Sequence, residues 1–168
     1  TVDLGIAGEL DYRLQAGMVF GKVPYPLLHH FAGNQTHTFD PDRFSLINTY
    51  QYAADQYIAL HAHWNGKGVL FNLIPGVRYA RLRELLVLKV AYGGMRNDHQ
   101  SVLAFPTIQV EDNPNYRLLS TLNVPYVELG VGIGNILRIG ELYGVFRVTH
   151  LNDPTPWWAI RFRLHFGM

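Results

Sequence analysis

Near its end the chain reads Trp157-Trp158-Ala159-Ile160-Arg161-Phe162-Arg163-Leu164-His165-Phe166. Side chains alternate between the two faces of a β-strand, so this stretch has an apolar face and a face that carries Arg161 and Arg163. A strand of about ten residues with one apolar and one charged face is typical of a transmembrane β-barrel. An amphipathic strand of a soluble sandwich or lipocalin-like barrel has the same pattern, so the rest of the sequence must distinguish the two.

The composition favours the membrane alternative. Of the 168 residues, 16% are charged and 13% are aromatic, and the net charge is +1. Soluble domains carry roughly 25% charged residues, whereas aromatic side chains are enriched at membrane interfaces. The near-neutral charge argues against a nucleic-acid partner, and a chain without cysteine forms no disulfide or thiolate. No apolar run reaches the roughly 18 residues of a membrane helix, so a membrane-spanning chain would cross with strands.

The alternating pattern recurs along the chain and predicts six long strands. We expect them at 2–20, 46–64, 84–92, 126–134, 140–151 and 157–166. Unbroken parity favours one strand over 2–20 rather than two strands joined near 8–11. Long connections at 21–44 and 95–124 largely alternate with shorter ones, as the outer loops and periplasmic turns of an outer-membrane barrel do. The apolar and basic residues of 67–83 indicate one of two structures. One is an amphipathic turn or helix at a membrane surface, and the other is a core segment of a soluble protein.

The strand count indicates that the chain is part of something larger. Six strands are fewer than the eight of the smallest closed membrane barrels, and an open sheet would leave unpaired edges in hydrocarbon. The chain begins with Thr1 and lacks the basic and apolar regions of a signal peptide. We therefore expect residues 1–168 to be the C-terminal segment of an outer-membrane barrel domain, with the other strands supplied from elsewhere.

The charged residues predict which face of each strand meets lipid. A basic side chain near mid-membrane costs about 2 to 4 kcal/mol on the lipid face, so the charged face is expected to line the lumen. The residues predicted to face the lumen are Arg13, Lys89, Glu128, Glu141, Arg147, Arg161 and Arg163. The residues predicted to face lipid are Leu14, Met18, Ile58, Leu60, Leu86, Leu88, Val90, Leu129, Val131, Ile133, Phe146, Val148, Ile160, Phe162, Leu164 and Phe166. The aromatic residues predicted at the membrane interfaces are Trp64, Tyr92, Trp157 and Trp158.

Within a lumen, charged side chains can form ion pairs that brace a filled barrel, which is the favoured expectation, or they can line a path for a solute. Glu128 and Glu141 are the expected acidic partners. Arg147 and Arg161 are the expected basic partners.

Few residues suggest a metal or catalytic site. His61 and His63 share one strand face at a spacing that can hold a metal, but no further ligand is evident nearby. They are weak candidates, and no metal or cofactor is expected.

The glycines of 130–134 precede a turn and another strand, whereas a dinucleotide-binding loop precedes a helix. No serine lies in a nucleophile-elbow motif, so no catalytic residue is expected.

Three motifs, taken together, resemble a known group of proteins. They are Gly21-Lys22-Val23-Pro24-Tyr25-Pro26-Leu27-Leu28, then Asp55-Gln56-Tyr57 with residues 61–66, and Pro125-Tyr126-Val127-Glu128-Leu129-Gly130-Val131-Gly132-Ile133. The group comprises large outer-membrane proteins of Bacteroidota with a carboxypeptidase-regulatory-like N-terminal domain and a C-terminal barrel of unknown function. The resemblance covers nearly the whole chain and implies that it supplies the last strands of such a barrel. It implies no catalytic residues. The final hairpin is also loosely similar to the barrels of the surface-antigen superfamily.

The leading expectation is a non-enzymatic protein of the bacterial outer membrane. Its expected role is transport, surface assembly or scaffolding of envelope proteins. The expected partners are outer-membrane lipid, lipopolysaccharide, and the remaining strands of the barrel or other envelope subunits. One alternative is a soluble β-barrel that binds an apolar ligand, which predicts that Ile160, Phe162 and Leu164 are buried in a core. Another is a barrel-embedded lipid-modifying enzyme, which predicts activity that depends on a specific Ser or His.

Overall fold

The computed structural model describes residues 1–96, 122–153 and 155–165, without the side chains of Tyr25 and Asn123. Within these residues the fold consists of antiparallel β-strands, short 3₁₀ helices and no α-helix. The predicted all-β, antiparallel fold class is therefore confirmed. No helix in this part of the chain is long and apolar enough to cross a membrane.

The strands form one large open sheet and one small sheet. In chain order they are β1 (Val2–Asp3), β2 (Glu9–Met18), β3 (His29–His30), β4 (Ala53–Ala54), β5 (Gln56–Asn65), β6 (Arg83–Gly94), β7 (Leu122–Ile136), β8 (Gly140–Arg147) and β9 (Trp158–Leu164). The large sheet has the order β1-β2-β5-β6-β7-β8-β9, and β3 pairs with β4. Six of its strands have seven residues or more, which agrees with the six long strands expected. Among the described residues no pairing joins its two edges, so no closed barrel is found.

The first expected strand is interrupted, so the prediction of one strand over 2–20 is wrong. A 3₁₀ turn at Gly5–Ala7 separates β1 from β2, and Gly8 follows with a φ of 95°. A Cβ atom at Gly8 would lie 2.1 Å from the carbonyl oxygen of Asn65. Glycine is therefore required at this position by both its backbone conformation and its closeness to β5.

The second expected strand is also shorter than predicted, because β5 begins at Gln56 rather than near residue 46. Leu46 and Ile47 are both buried, which ends the alternation of the two faces. Tyr50 has a φ of 64°, a conformation outside the β-region. Residues 46–52 therefore belong to the preceding loop.

The two ends of the large sheet carry different connections. The turn end, as we call it, carries the 3₁₀ turn before β2, the β5–β6 connection and the tight turn between β7 and β8. The β5–β6 connection contains 3₁₀ helices at Phe71–Leu73 and Val77–Ala80. The opposite end, the loop end, carries the connections from β2, β6 and β8. Most of the long connection expected over 95–124 lies outside the described residues, as does Phe166.

Cross-strand register keeps apolar and charged residues on opposite faces of the sheet. Leu14, Leu60 and Val90 are aligned on β2, β5 and β6. Their face, called the outer face, also carries the apolar residues predicted to meet lipid on β7, β8 and β9. The opposite face, called the inner face, carries Lys89, Glu128 and the other predicted lumen-facing charges.

The sheet curls so that its inner face is concave. His63 on β5 places Nε2 3.0 Å from the hydroxyl of Tyr143 on β8. Two strands, β6 and β7, separate these residues in the sheet. A flat sheet with strands about 4.8 Å apart would keep the two side chains much farther from each other.

Residues 19–55, between β2 and β5, fold back across the inner face, and we call them the covering loop. That the connection over 21–44 is an outer loop of a membrane barrel stays a prediction. The loop also pairs with the free edge of β9. The backbone N–H of Phe39 donates to the carbonyl of Phe162 (2.6 Å), and the N–H of Phe162 donates to the carbonyl of His37 (3.0 Å).

The hydrophobic core lies between the covering loop and the inner face. Its loop side chains include Phe31, Phe39, Phe44, Leu46, Ile47 and Tyr52, and its sheet side chains include Leu85, Val87, Tyr126, Tyr143 and Val145. The rings of Phe39 and Tyr143 stack at 3.8 Å with an interplanar angle of 15°. The loop therefore fills the concave side with apolar packing as well as polar contacts.

Candidate functional site

Five ionisable side chains form a row across the inner face, which we call the charged row. Arg13, His61, Lys89, Glu128 and Arg147 are successive cross-strand partners on β2, β5, β6, β7 and β8. Lys89, Glu128 and Arg147 are buried. Buried charges are stable only when other charges and hydrogen bonds compensate for lost water. The hydrogen-bond and ion-pair partners of these three side chains therefore indicate the role of the charged row.

Lys89 binds the backbone of the covering loop. Its Nζ donates to the carbonyl oxygens of Asp40 (2.8 Å) and Arg43. The same Nζ lies 4.7 Å from the centre of the Phe39 ring, within the range of a cation–π contact. The ammonium group thus holds the loop over the middle of the sheet.

Glu128, the neighbour of Lys89 in the row, binds the next part of the covering loop. Its two carboxylate oxygens accept hydrogen bonds from the backbone N–H groups of Ser45 and Leu46, each 2.8 Å long. The hydroxyl of Tyr126 also donates to this carboxylate at 2.7 Å. Hydrogen bonds to a charged acceptor are stronger than neutral ones, so Glu128 is a second anchor of the loop.

Arg147 links the charged row to the connection between β8 and β9. Its guanidinium donates to the hydroxyl (2.6 Å) and carbonyl (2.5 Å) of Thr155 and lies 3.6 Å from Asp153. The hydroxyl of Tyr52, on the covering loop, donates to Asp153. Burial and this hydrogen bond raise the pKa of Tyr52, so the phenol stays protonated as a donor. The covering loop and the β8–β9 connection are thereby joined over the sheet.

The ion pairs differ from those expected. Arg147 pairs with Asp153, and Glu141 lies 3.9 Å from Arg163. Arg161 donates to the carbonyl of Ser45 at 2.7 Å. The prediction that Glu128 or Glu141 would pair with Arg147 or Arg161 is wrong, because the covering loop supplies backbone partners that the sequence pattern does not reveal.

Arg13 lies at the exposed end of the charged row. Its guanidinium is 2.9 Å from the carboxylate of Asp42 on the covering loop, and both side chains are about half exposed. An exposed pair of this kind adds little stability. All seven predicted lumen-facing charges thus lie on the inner face, but only three are deeply buried.

The two histidines with metal-ligand spacing have other contacts. The ring of His61 lies 4.7 Å from that of Phe44, and His63 shares a hydrogen bond with Tyr143. Within the described residues no group of three or more His, Cys, Asp or Glu side chains is placed to hold a metal. Their contacts are those of side chains that pack under the covering loop.

A polar cavity of about 300 Å³ lies beside the two histidines. It is lined by Asp11, Arg13, Asp42, His61, His63 and Arg163, together with apolar neighbours. A second polar cavity of about 450 Å³ shares Asp11, His63 and Arg163 and continues to the turn end. Strand β2, beside the edge strand β1, and strand β9, at the opposite edge of the sheet, both contribute to this space. The covering loop fills the interior above it.

The outer face has the opposite character. The predicted lipid-facing residues lie on it or at its border, and those that the structure describes are exposed or half-buried. Trp64 lies near the turn end, where its Nε1 donates to the carbonyl of Ala7 (2.8 Å). Tyr92, Trp157 and Trp158 lie near the loop end, so the predicted interface aromatics flank the outer face on both sides. Contact of this face with lipid stays a prediction.

Comparison with known proteins identifies a family. A model of the C-terminal domain of DUF5686, a family of unknown function, matches residues 1–104. The chain belongs to the DUF5686 family. No curated protein and no solved structure matches it. Membership in a family of unknown function is therefore confirmed, whereas the Bacteroidota source and the N-terminal domain stay predictions.

Sequence reasoning missed the residues that cover the inner face of this DUF5686 chain. The covering loop contributes Asp42, Ser45 and Tyr52, and the β8–β9 connection contributes Asp153. A signal was present, because the loop contains several phenylalanines and tyrosines that a water-exposed connection would not need. Ser45, one of few serines available for nucleophilic chemistry, is a buried residue of this loop.

Proposed function

We propose that this chain forms the last strands of a bacterial outer-membrane β-barrel whose interior is filled by its own covering loop. The outer face contacts lipid, and the inner face holds the loop. The protein acts without catalysis, as a scaffold or surface-assembly barrel for envelope proteins rather than as an open conduit for solutes.

The observation that carries this proposal is the inverted distribution of polarity. Ile160, Phe162 and Leu164 are 56%, 41% and 49% exposed, whereas Lys89 and Glu128 are 1% and 0% exposed. A soluble ligand-binding barrel predicts burial of the three apolar residues. A large apolar face on the outside marks a surface that contacts lipid or another protein. Lipid is favoured because the apolar rows extend across six strands.

The dimensions of the strands support the same proposal. A membrane-spanning β-strand needs about 9 to 11 residues. Strands β2 and β5 have 10 residues each, β6 has 12 and β7 has 15, whereas β8 and β9 are shorter, with 8 and 7 residues. Aromatic residues at both ends of the outer face match the aromatic girdles of outer-membrane barrels.

The filled interior favours scaffolding over conduction. Lys89 and Glu128 use their charged groups to bind the covering loop, so they are not left to attract a solute. Two polar cavities lie towards the turn end. A separate cavity of about 360 Å³, beside Ser45, Thr155 and Arg161, lies at the loop end.

In the proposed barrel, further strands of the same polypeptide extend the sheet from the edge formed by β1 and β2. The N-terminal amine of Thr1 lies 3.8 Å from Asp11, and Val2 pairs with Leu10, so a preceding segment could extend β1 along β2.

The proposal includes the Bacteroidota source and the regulatory-like N-terminal domain. The intact mass of the heat-resistant band from outer-membrane extracts tests this point. A mass well above 19.1 kDa supports it, and a mass equal to 19.1 kDa contradicts it.

A fluorescence experiment tests the lipid contact. Residues 1–168 contain no cysteine. A single thiol is introduced by Val131→Cys on the outer face or by Asn152→Cys in the exposed β8–β9 connection, with any cysteine in the rest of the polypeptide replaced by serine. Each full-length variant carries an environment-sensitive label and is reconstituted in phosphatidylcholine vesicles. Lipids with brominated acyl chains should quench the label at position 131 and spare the label at position 152. Equal quenching, or none at position 131, would contradict the proposal.

A further inference from the structure

The β5–β6 connection, residues 66–82, lies at the turn end, and we call it the foot. Its two 3₁₀ helices are Phe71–Leu73 and Val77–Ala80. Neither the sheet nor the covering loop requires so long a connection, because a two-residue turn can join adjacent antiparallel strands. The extra residues therefore need an explanation of their own.

The foot folds onto the outer face rather than into the interior. Glu84 is the cross-strand partner of Ile133 and so belongs to the outer face, yet it is buried. The backbone N–H of Leu70 donates to its carboxylate at 3.1 Å. Phe71 lines an apolar depression of about 640 Å³ together with Leu86 and other outer-face residues. The foot thus shields a carboxylate that would otherwise lie on the proposed lipid face.

The outward surface of the foot is apolar. Leu70, Leu73, Ile74 and Tyr79 are 57%, 76%, 48% and 76% exposed. In water such a group of exposed apolar side chains costs free energy. The group continues the apolar outer face past the end of the strands.

The adjacent turns extend this apolar surface along the turn end. Leu137, in the β7–β8 turn, and Ile6, before β2, are also exposed. A hydrogen bond from Asn135 to the carbonyl of Arg81 (2.7 Å) ties the β7–β8 turn to the foot. Three consecutive connections at one end of the sheet therefore carry exposed apolar side chains.

Basic side chains accompany this surface. Arg78 and Arg81 of the foot and Arg138 of the next turn are exposed. The Arg78 guanidinium lies 5.0 Å from the centre of the Tyr79 ring and donates to its hydroxyl (3.0 Å). Apolar and aromatic side chains beside arginines are the composition of segments that lie in a membrane interface with anionic lipid.

We propose that the foot is a membrane-interface anchor that binds anionic phospholipid. Leu73, Ile74 and Tyr79 enter the boundary between headgroups and acyl chains, while Arg78 and Arg81 contact lipid phosphates. This inference rests on the proposed function, because it places the foot at one surface of the bilayer that the outer face would span.

The test adds Leu73→Cys to the labelled variants at positions 131 and 152. The full-length proteins are reconstituted in phosphatidylcholine vesicles with or without phosphatidylglycerol. Brominated acyl chains should quench the label at position 73, and phosphatidylglycerol should increase that quenching severalfold. Arg78→Gln combined with Arg81→Gln should abolish the increase, whereas Arg43→Gln on the covering loop should retain it.

The outcomes separate the two proposals. Quenching at position 131 without quenching at position 73 overturns the lipid anchor and leaves the proposed barrel intact. This result would be expected if the foot binds a protein partner instead of lipid. Quenching at position 73 that does not respond to phosphatidylglycerol or to the arginine variants overturns the lipid specificity. Absence of quenching at position 131 overturns the proposed function, and with it the anchor.

Discussion

Lys89 and Glu128 are direct cross-strand partners on β6 and β7, and each anchors a different part of the covering loop. The ammonium group of Lys89 binds carbonyl oxygens at Asp40 and Arg43. The carboxylate of Glu128 binds the N–H groups that follow at Ser45 and Leu46. One pair of opposite charges therefore satisfies backbone donors and acceptors that would otherwise be buried without partners.

Replacing Glu128 by Gln should loosen the covering loop. A Gln side chain has one acceptor oxygen where the carboxylate has two, so either the Ser45 or the Leu46 N–H loses its partner. A hydrogen bond to a charged group is worth about 1.5 to 3 kcal/mol, so we expect a loss of about 2 kcal/mol. Hydrogen exchange of residues 40–47 in the native state should accelerate about 30-fold at that cost.

The matched control for this substitution is Glu141→Gln. Glu141 lies on the same face but is only partly buried, and its contacts with Arg163 and His165 are near the turn end. Hydrogen exchange of residues 40–47 should be unchanged in this variant. Equal acceleration in both variants would show that Glu128 does not act through the covering loop.

Adjacent glycines in β6 should differ sharply in their tolerance of alanine. A Cβ atom at Gly93 would lie 2.8 Å from the Cβ of Ala54 and 3.1 Å from the Phe31 ring, both on the covering loop. At Gly94 no atom lies within 4 Å. Overpacking typically costs about 1 to 3 kcal/mol, so Gly93→Ala should lower the free energy of unfolding by that amount. Gly94→Ala should be near neutral. Chemical denaturation of both variants measures the difference.

The faces of the strands could be predicted from the sequence because their alternation is strict. Lys89 and Glu128 interrupt apolar strands, and a charged side chain on a lipid face would be costly. The sequence therefore predicts that both residues lie on the face opposite the apolar one. The same argument holds for Arg161 and Arg163 on β9. The two-residue period of each strand is enough to predict which side chains share a face, since this needs no knowledge of the neighbouring strands.

The covering loop could not be placed from the sequence because its contacts are distant along the chain. Ser45 and Glu128 are 83 residues apart, and no periodicity connects them. The break before β2 depends on Gly8, whose neighbour Asn65 becomes close only after β2 and β5 pair. Parity also continued through 46–55 by coincidence, although Tyr50 adopts a left-handed conformation.

Acid should open the small sheet of the covering loop. Burial, with a contribution from neighbouring His30, lowers the pKa of His29 to about 4 from an ordinary value of 6.5. Its neutral ring stacks on Tyr57 at 3.4 Å. Because the folded-state pKa is depressed, the unfolded chain binds more protons between these values. The stability is complete above pH 6.5 and declines as the pH falls towards 4.

The measurement for this prediction compares thermal unfolding at pH 7 and pH 5. His29→Phe keeps an aromatic ring against Tyr57 and removes the titrating group. The decrease in Tm between the two pH values should be smaller in this variant than in the original protein. An identical decrease would assign the acid sensitivity to other groups.

Neighbouring residues of β9 provide the sharpest test of which face meets lipid. Phe162 lies on the outer face and is 41% exposed, whereas Arg163 lies on the inner face beside Glu141. Phe162→Arg places a charge on the proposed lipid face at a cost of about 2 to 4 kcal/mol, so assembly into the outer membrane should fall. Arg163→Gln removes only a partly exposed pair and should leave assembly intact. The measurement is the heat-modifiable fraction of full-length protein in outer-membrane extracts. If Arg163→Gln impaired assembly while Phe162→Arg did not, the assignment of the two faces would be reversed.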